Sequence, residues 1–60
     1  MTLIVKFLAG DYYFNYYEDF EDALFAYNGY ADNSHVAFVK MVNNQGDVIL
    51  ANTPNFEFDY

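Results

Sequence analysis

Apolar and polar positions change their period along this chain, and each change marks an element. Residues 2–9, Thr-Leu-Ile-Val-Lys-Phe-Leu-Ala, alternate with period two and predict a strand. Leu3, Val5, Phe7 and Ala9 fall on one face and Thr2, Ile4, Lys6 and Leu8 on the other. Gly10-Asp11 supplies a hairpin-type turn, because Gly takes positive φ without a Cβ penalty. Tyr12 to Tyr17 predict a second strand, since aromatic side chains suit a pleated, half-buried surface. Tyr12, Phe14 and Tyr16 share one face, taken as the core face, and Tyr13, Asn15 and Tyr17 share the other.

The spacing then lengthens to three and four residues. Phe20, Ala23, Leu24 and Tyr27 make a helical stripe over residues 20–28. Asp19 is the expected N-cap, with Asp22 at the third helical position as a short stand-in for the Glu of a capping box. Gly29 is the expected stop, in the left-handed conformation that commonly ends helices. Residues 30–34 read as a loop. His35 to Val42 alternate again, with Val36, Phe38 and Val42 opposite Ala37, Val39 and Met41. Asn43-Asn44-Gln45-Gly46 is a turn, Asp47 to Ala51 a returning strand, and Pro54 its end. The last residues, Asn55-Phe56-Glu57-Phe58-Asp59-Tyr60, alternate aromatic with acid and read as a fifth edge strand or an extended arm.

These elements predict one α+β domain over residues 1–60: an antiparallel sheet of four strands, or five with the tail, and one helix on one face, in the order ββαββ. A single helix covers one side of such a sheet. The other side carries apolar and aromatic residues, and a large exposed patch of that kind marks an interaction site.

Composition narrows the partners. The chain has nine Asp and Glu against two Lys and no Arg, a net charge of −7. Affinity for phosphate is built from Lys and Arg that displace counterions, and stacking proteins also need a positive groove. Lys6 and Lys40 are too few for either, so direct nucleic-acid binding is excluded, and an anionic membrane with it. Cysteine is absent, which excludes disulfides and thiolate chemistry and favours the cytoplasm. Neither a signal peptide nor a run of roughly 20 apolar residues is present. Seven Phe and seven Tyr contradict the composition of a disordered chain.

Catalysis finds no support. Ser34 and His35 are neighbours, and neighbours on an extended segment point to opposite faces. Gly10, Gly29 and Gly46 are isolated, so no phosphate-binding loop exists. The run Asp32-Asn33-Ser34-His35 lacks the spacing of a Ca²⁺ loop. The chain is therefore read as a non-enzyme with no metal and no cofactor.

The sharpest feature is the cluster Glu18, Asp19, Glu21 and Asp22. Carboxylates three and four apart on a helix repel by a few tenths of a kcal/mol per pair, roughly, and no cation lies near them in sequence. Capping and dipole compensation explain some of them; solubility needs less charge than −7. A row of carboxylates imitates the dense negative charge of DNA, with Asp11, Asp32, Asp47, Glu57 and Asp59 extending the field. Tyr13, Tyr17 and Tyr30, off the expected core face, are the contact residues, since Tyr is a favoured anchor at interfaces.

In length, acidity, aromatic content and lack of cysteine the chain is similar to small phage-encoded inhibitors, among them DNA mimics that block restriction, CRISPR effectors, uracil-DNA glycosylase or RNA polymerase. The likeness is one of composition and carries over no residue. The leading expectation is a non-enzymatic inhibitor acting in the host cytoplasm. It would occupy the basic surface of a nucleic-acid-binding protein through Glu18, Asp19, Glu21, Asp22, Asp32, Glu57, Asp59 and the three tyrosines. The alternative is a self-associating module whose open sheet face forms a homodimer.

Overall fold

The computed structural model describes residues 1–54. The alternating segments form β1 (Thr2–Phe7), β2 (Tyr12–Tyr16), β3 (Val36–Val42) and β4 (Val48–Asn52), and the stripe forms α1 (Phe20–Ala31). The strands make one antiparallel sheet in the order β2-β1-β3-β4, with α1 packed on one side. This is the small α+β domain that the periodicity predicts. The expected tail strand lies outside the described residues. Among those residues, no helix is long and apolar enough to cross a membrane.

Register fixes the two faces. Leu3 lies between Asn15 and Met41, and Val5 between Tyr13 and Val39. Leu3, Val5, Val39 and Met41 are fully buried and meet Ala23 and Tyr27 of α1. Each such side chain contributes about 1.5–3 kcal/mol through its removal from water. Ile4 lies between Phe14 and Lys40, and Lys6 between Tyr12 and Phe38, so these side chains share the uncovered face.

The strands differ from the sequence expectation in three details. β1 stops at Phe7, because Leu8 to Asp11 are consumed by a loop in which Phe7 N–H donates to Asp11 O (2.8 Å) and Gly10 takes φ +103°. In β2 the faces are reversed: Tyr12, Phe14 and Tyr16 line the uncovered side, and Tyr13 and Asn15 share the helix side with Leu3 and Val5. In β3 the register shifts between Lys6 and Phe7, which leaves Ala37 as the extra residue of a bulge. Val36 is thereby buried with the core, while Phe38 and Val42 face the open side.

The helix also runs past its expected stop. Gly29 is helical, and the end is closed by Asp32 N–H donating to Asn28 O (3.2 Å) and Asn33 N–H donating to Tyr30 O (3.0 Å). The added turn brings Tyr30 and Ala31 onto the core, and that packing outweighs the poor helix propensity of Gly. At the other end Phe20 is exposed, so the buried stripe runs through Ala23 and Tyr27.

Candidate functional site

The acidic cluster occupies the start of α1. Asp19 is the N-cap residue, with extended backbone (φ −94°, ψ 134°), and its carbonyl accepts the first helical bond, from Ala23 N–H (3.1 Å). Its side chain makes no capping bond. The expected capping box is therefore not formed; an Asp at the third position is one methylene shorter than the Glu that reaches back in such a box. Glu18, Asp19, Glu21 and Asp22 are all exposed, so four carboxylates project into solvent where the helix dipole is positive.

The chain's two lysines are on another surface. Lys6 Nζ lies 5.5 Å from the centre of the Tyr12 ring and Lys40 Nζ 5.0 Å from that of Phe38, both on the uncovered sheet face. No Asp or Glu occurs in any of the four strands. Among the described residues the acids collect at the two ends of the sheet. Glu18 to Asp22 and the Asn43–Asp47 turn share one end, because the Met1 nitrogen donates to Tyr17 O (3.0 Å) and to Asn44 Oδ1 (3.3 Å). Asp11 and Asp32 share the other, where Leu8 N–H donates to His35 O (2.8 Å).

Tyr13, Tyr17 and Tyr30 come together. The helix packs over β3 and β1, so the helix side of β2 is only partly covered. The Tyr13 and Tyr30 rings lie 6.1 Å apart, Phe7 meets Tyr30 edge-on at 6.4 Å, and Asn15 Nδ2 donates to the Tyr17 hydroxyl (2.9 Å). Tyr17, Phe25, Ala26, Gly29, Tyr30 and Asn33 line a shallow groove of about 350 Å³ beside them. Burial pushes the Tyr30 phenol pKa up, helped by the charges Tyr13 and Tyr17 would carry and by hydrogen bonding with Tyr13. Tyr27 is likewise pushed up by burial. With pKa values raised above 10.0, the Tyr27 and Tyr30 phenols are neutral at physiological pH.

The expected site is thus divided. The four helix-start acids and the tyrosine groove adjoin through Tyr17–Glu18, whereas Asp32 caps the far end of a helix about 18 Å long. Glu57 and Asp59 lie outside the described residues. Sequence reasoning missed Phe25, which is 84% exposed beside the groove. Its signal was an apolar residue off the helical stripe. Among the described residues no three His, Cys, Asp or Glu side chains are grouped to hold a metal. His35 is exposed, its backbone N–H donating to Asn33 Oδ1 (2.8 Å). Comparison with known protein families, with curated proteins and with solved structures finds no match to this chain.

Proposed function

We propose that the chain is a non-enzymatic inhibitor, of the kind that phages use against restriction or CRISPR systems and other host enzymes. In this reading it binds the basic surface of a nucleic-acid-processing protein in the host cytoplasm. The observation that carries it is the separation of charge: Glu18, Asp19, Glu21 and Asp22 are exposed together, and both lysines sit on the sheet face over aromatic rings. The carboxylates supply long-range attraction, which raises on-rates toward a basic cleft. Tyr17, Tyr30 and the exposed Phe25 supply apolar contact beside them.

The test is capture with tagged protein from bacterial lysate, washed at low and high salt, beside the variant E18Q/D19N/E21Q/D22N. Recovery of a nucleic-acid-processing protein that is lost at high salt and by the folded quadruple variant is the expected result. Equal capture by a folded quadruple variant removes the mechanism. A second reading, self-association, is favoured by Tyr12, Phe14 and Tyr16, which are exposed on the uncovered side of β2.

A further inference from the structure

β2 is an edge strand with the composition of an interior one. Among the described residues nothing pairs beyond it. Natural edges are blunted by charge, proline, bulges or short length. The other edge, β4, has a register shift against β3 and is flanked by Asp47 and Pro54. The five residues of β2, Tyr-Tyr-Phe-Asn-Tyr, contain no charge, no proline and no bulge against β1. Tyr12, Tyr13, Phe14 and Tyr16 are 55%, 42%, 63% and 58% exposed.

The backbone geometry is self-complementary. Tyr17 N–H donates to Met1 O and Asp11 O accepts from Phe7 N–H, both toward β1. Direction alternates along a strand, so Tyr13 and Asn15 also point toward β1, and Tyr12, Phe14 and Tyr16 present their N–H and C=O groups outward. An antiparallel copy related by a two-fold axis at Phe14 sets Phe14 against Phe14, and Tyr12 against Tyr16, of the second copy. Every outward group of the three residues then has a partner, and side chains on the same face meet.

We infer that β2 pairs with β2 of a second copy of this chain, forming a two-fold dimer with one continuous eight-stranded sheet. This deepens the self-association reading and is independent of the acidic-surface one. Stacking of the open faces is disfavoured, because it would take the Lys6 and Lys40 ammonium groups out of water on a face whose strands hold no Asp or Glu to pair with them. At about 200 Å² per aromatic residue, these four residues expose at most roughly 400 Å² per copy, less in total than the ~1,000 Å² a stable interface clears, so the dimer is a weak one that forms at high concentration. Pairing also sets Tyr13 opposite Asn15 of the second copy, so the two tyrosine grooves join into one trough between the two helices. Asp11 and Glu18 of opposite copies come close at each rim, so added salt tightens the dimer, the reverse of its effect on a charge-driven partner.

The test is sedimentation equilibrium of the full chain up to roughly millimolar concentration, at low and high salt, with amide exchange followed residue by residue by NMR at two concentrations. The expected result is a dimer favoured by salt, in which the Tyr12, Phe14 and Tyr16 amides gain protection as concentration rises, while those of Tyr13 and Asn15 are protected throughout. F14K, at an exposed position, is expected to be a folded monomer, and V48K, on the other edge, to remain dimeric. A wild-type monomer across the range overturns the inference. So does a dimer whose Tyr12, Phe14 and Tyr16 amides stay unprotected, which is a face-to-face stack, or one that V48K dissociates and F14K does not.

Discussion

Gly29→Ala separates two accounts of where the helix ends. The sequence alone assigns Gly29 to the left-handed position just past the helix; the structure puts it inside α1, two residues before the last helical position. Its φ is not positive, and a Cβ built on it meets no atom within 4 Å. Alanine there gains helix propensity and removes freedom from the unfolded chain, together about 0.5–1 kcal/mol. A chain of this size has a total stability of roughly 3–9 kcal/mol, so the gain is visible. It raises the melting temperature by about 3–8 °C, followed by far-UV circular dichroism, with a matching rise in the urea midpoint. Gly46→Ala is the internal contrast. Gly46 has φ +88°, where a Cβ costs about 1–2 kcal/mol. If G29A loses stability as G46A does, Gly29 is left-handed, the helix ends at Asn28, and the placement of Tyr30 beside Tyr13 fails with it.

Other perturbations test the core, the cap, the groove and the phenols. Met41→Ala, at a fully buried position, is expected to cost about 2–5 kcal/mol, enough to unfold much of the population at 37 °C in a urea or thermal titration. Asp19→Ala is expected to cost less than the ~1 kcal/mol typical of a cap, since the carboxylate makes no capping bond; a loss of about 2 kcal/mol in the same titration would mean that the bond forms. Phe25→Ser removes an exposed ring, so the melt is expected to move little while captured partner decreases. Tyr27 and Tyr30 have folded pKa values raised above the ordinary value of 10.0. The native state therefore holds protons that the unfolded chain releases. The stability this represents is intact below pH 10 and is lost as pH rises through the folded pKa values; Y27F and Y30F, followed by urea midpoints and tyrosinate absorbance, are each expected to flatten that fall.

The elements were legible where one parity of the alternation was apolar and the other was not. Val39 and Met41 against Lys40 define a strand and its faces without ambiguity, and both valine and methionine are buried. Tyr12 to Tyr17 offer no such contrast. Both parities are aromatic, and the one polar residue, Asn15, sits on the helix side, where it bonds the Tyr17 hydroxyl. Its hydrogen bond removes the reason for keeping it off that face, so the assignment reversed. The bulge at Ala37 had no signal, since an extra small apolar residue breaks no pattern. Gly29 gave a signal that was overridden by the packing of Tyr30 and Ala31. The alternation predicts Tyr13, Tyr17 and Tyr30 off the core face, yet Tyr17 and Tyr30 are half-buried against the core, and the three meet because the helix leaves β2 partly uncovered. That offset of the helix is a tertiary fact.

The two lysines govern both surfaces at once. A cation near the helix start would neutralise Glu18 to Asp22, and a cation on β2 would blunt the sheet edge. Lys6 and Lys40 do neither: register places one on β1 and one on β3, in the interior of the open face, each over a ring at 5.0–5.5 Å. An ammonium over an aromatic face gains about 0.5–1 kcal/mol at an exposed site, and it keeps charge on a surface that aromatic residues would otherwise make fully apolar. The cost falls elsewhere. The acidic end has one cation beside it, the Met1 ammonium on Tyr17 O (3.0 Å), against four carboxylates, and solvent and salt screen the remaining field beyond a Debye length of about 8 Å at physiological ionic strength. Among the described residues nothing pairs with the outward backbone groups of β2. A chain selected only to be soluble and monomeric would place its few cations where they relieve repulsion or guard an edge. Both lysines instead guard the open sheet face, and the acidic helix start and the aromatic edge are left as the surfaces free to meet another molecule.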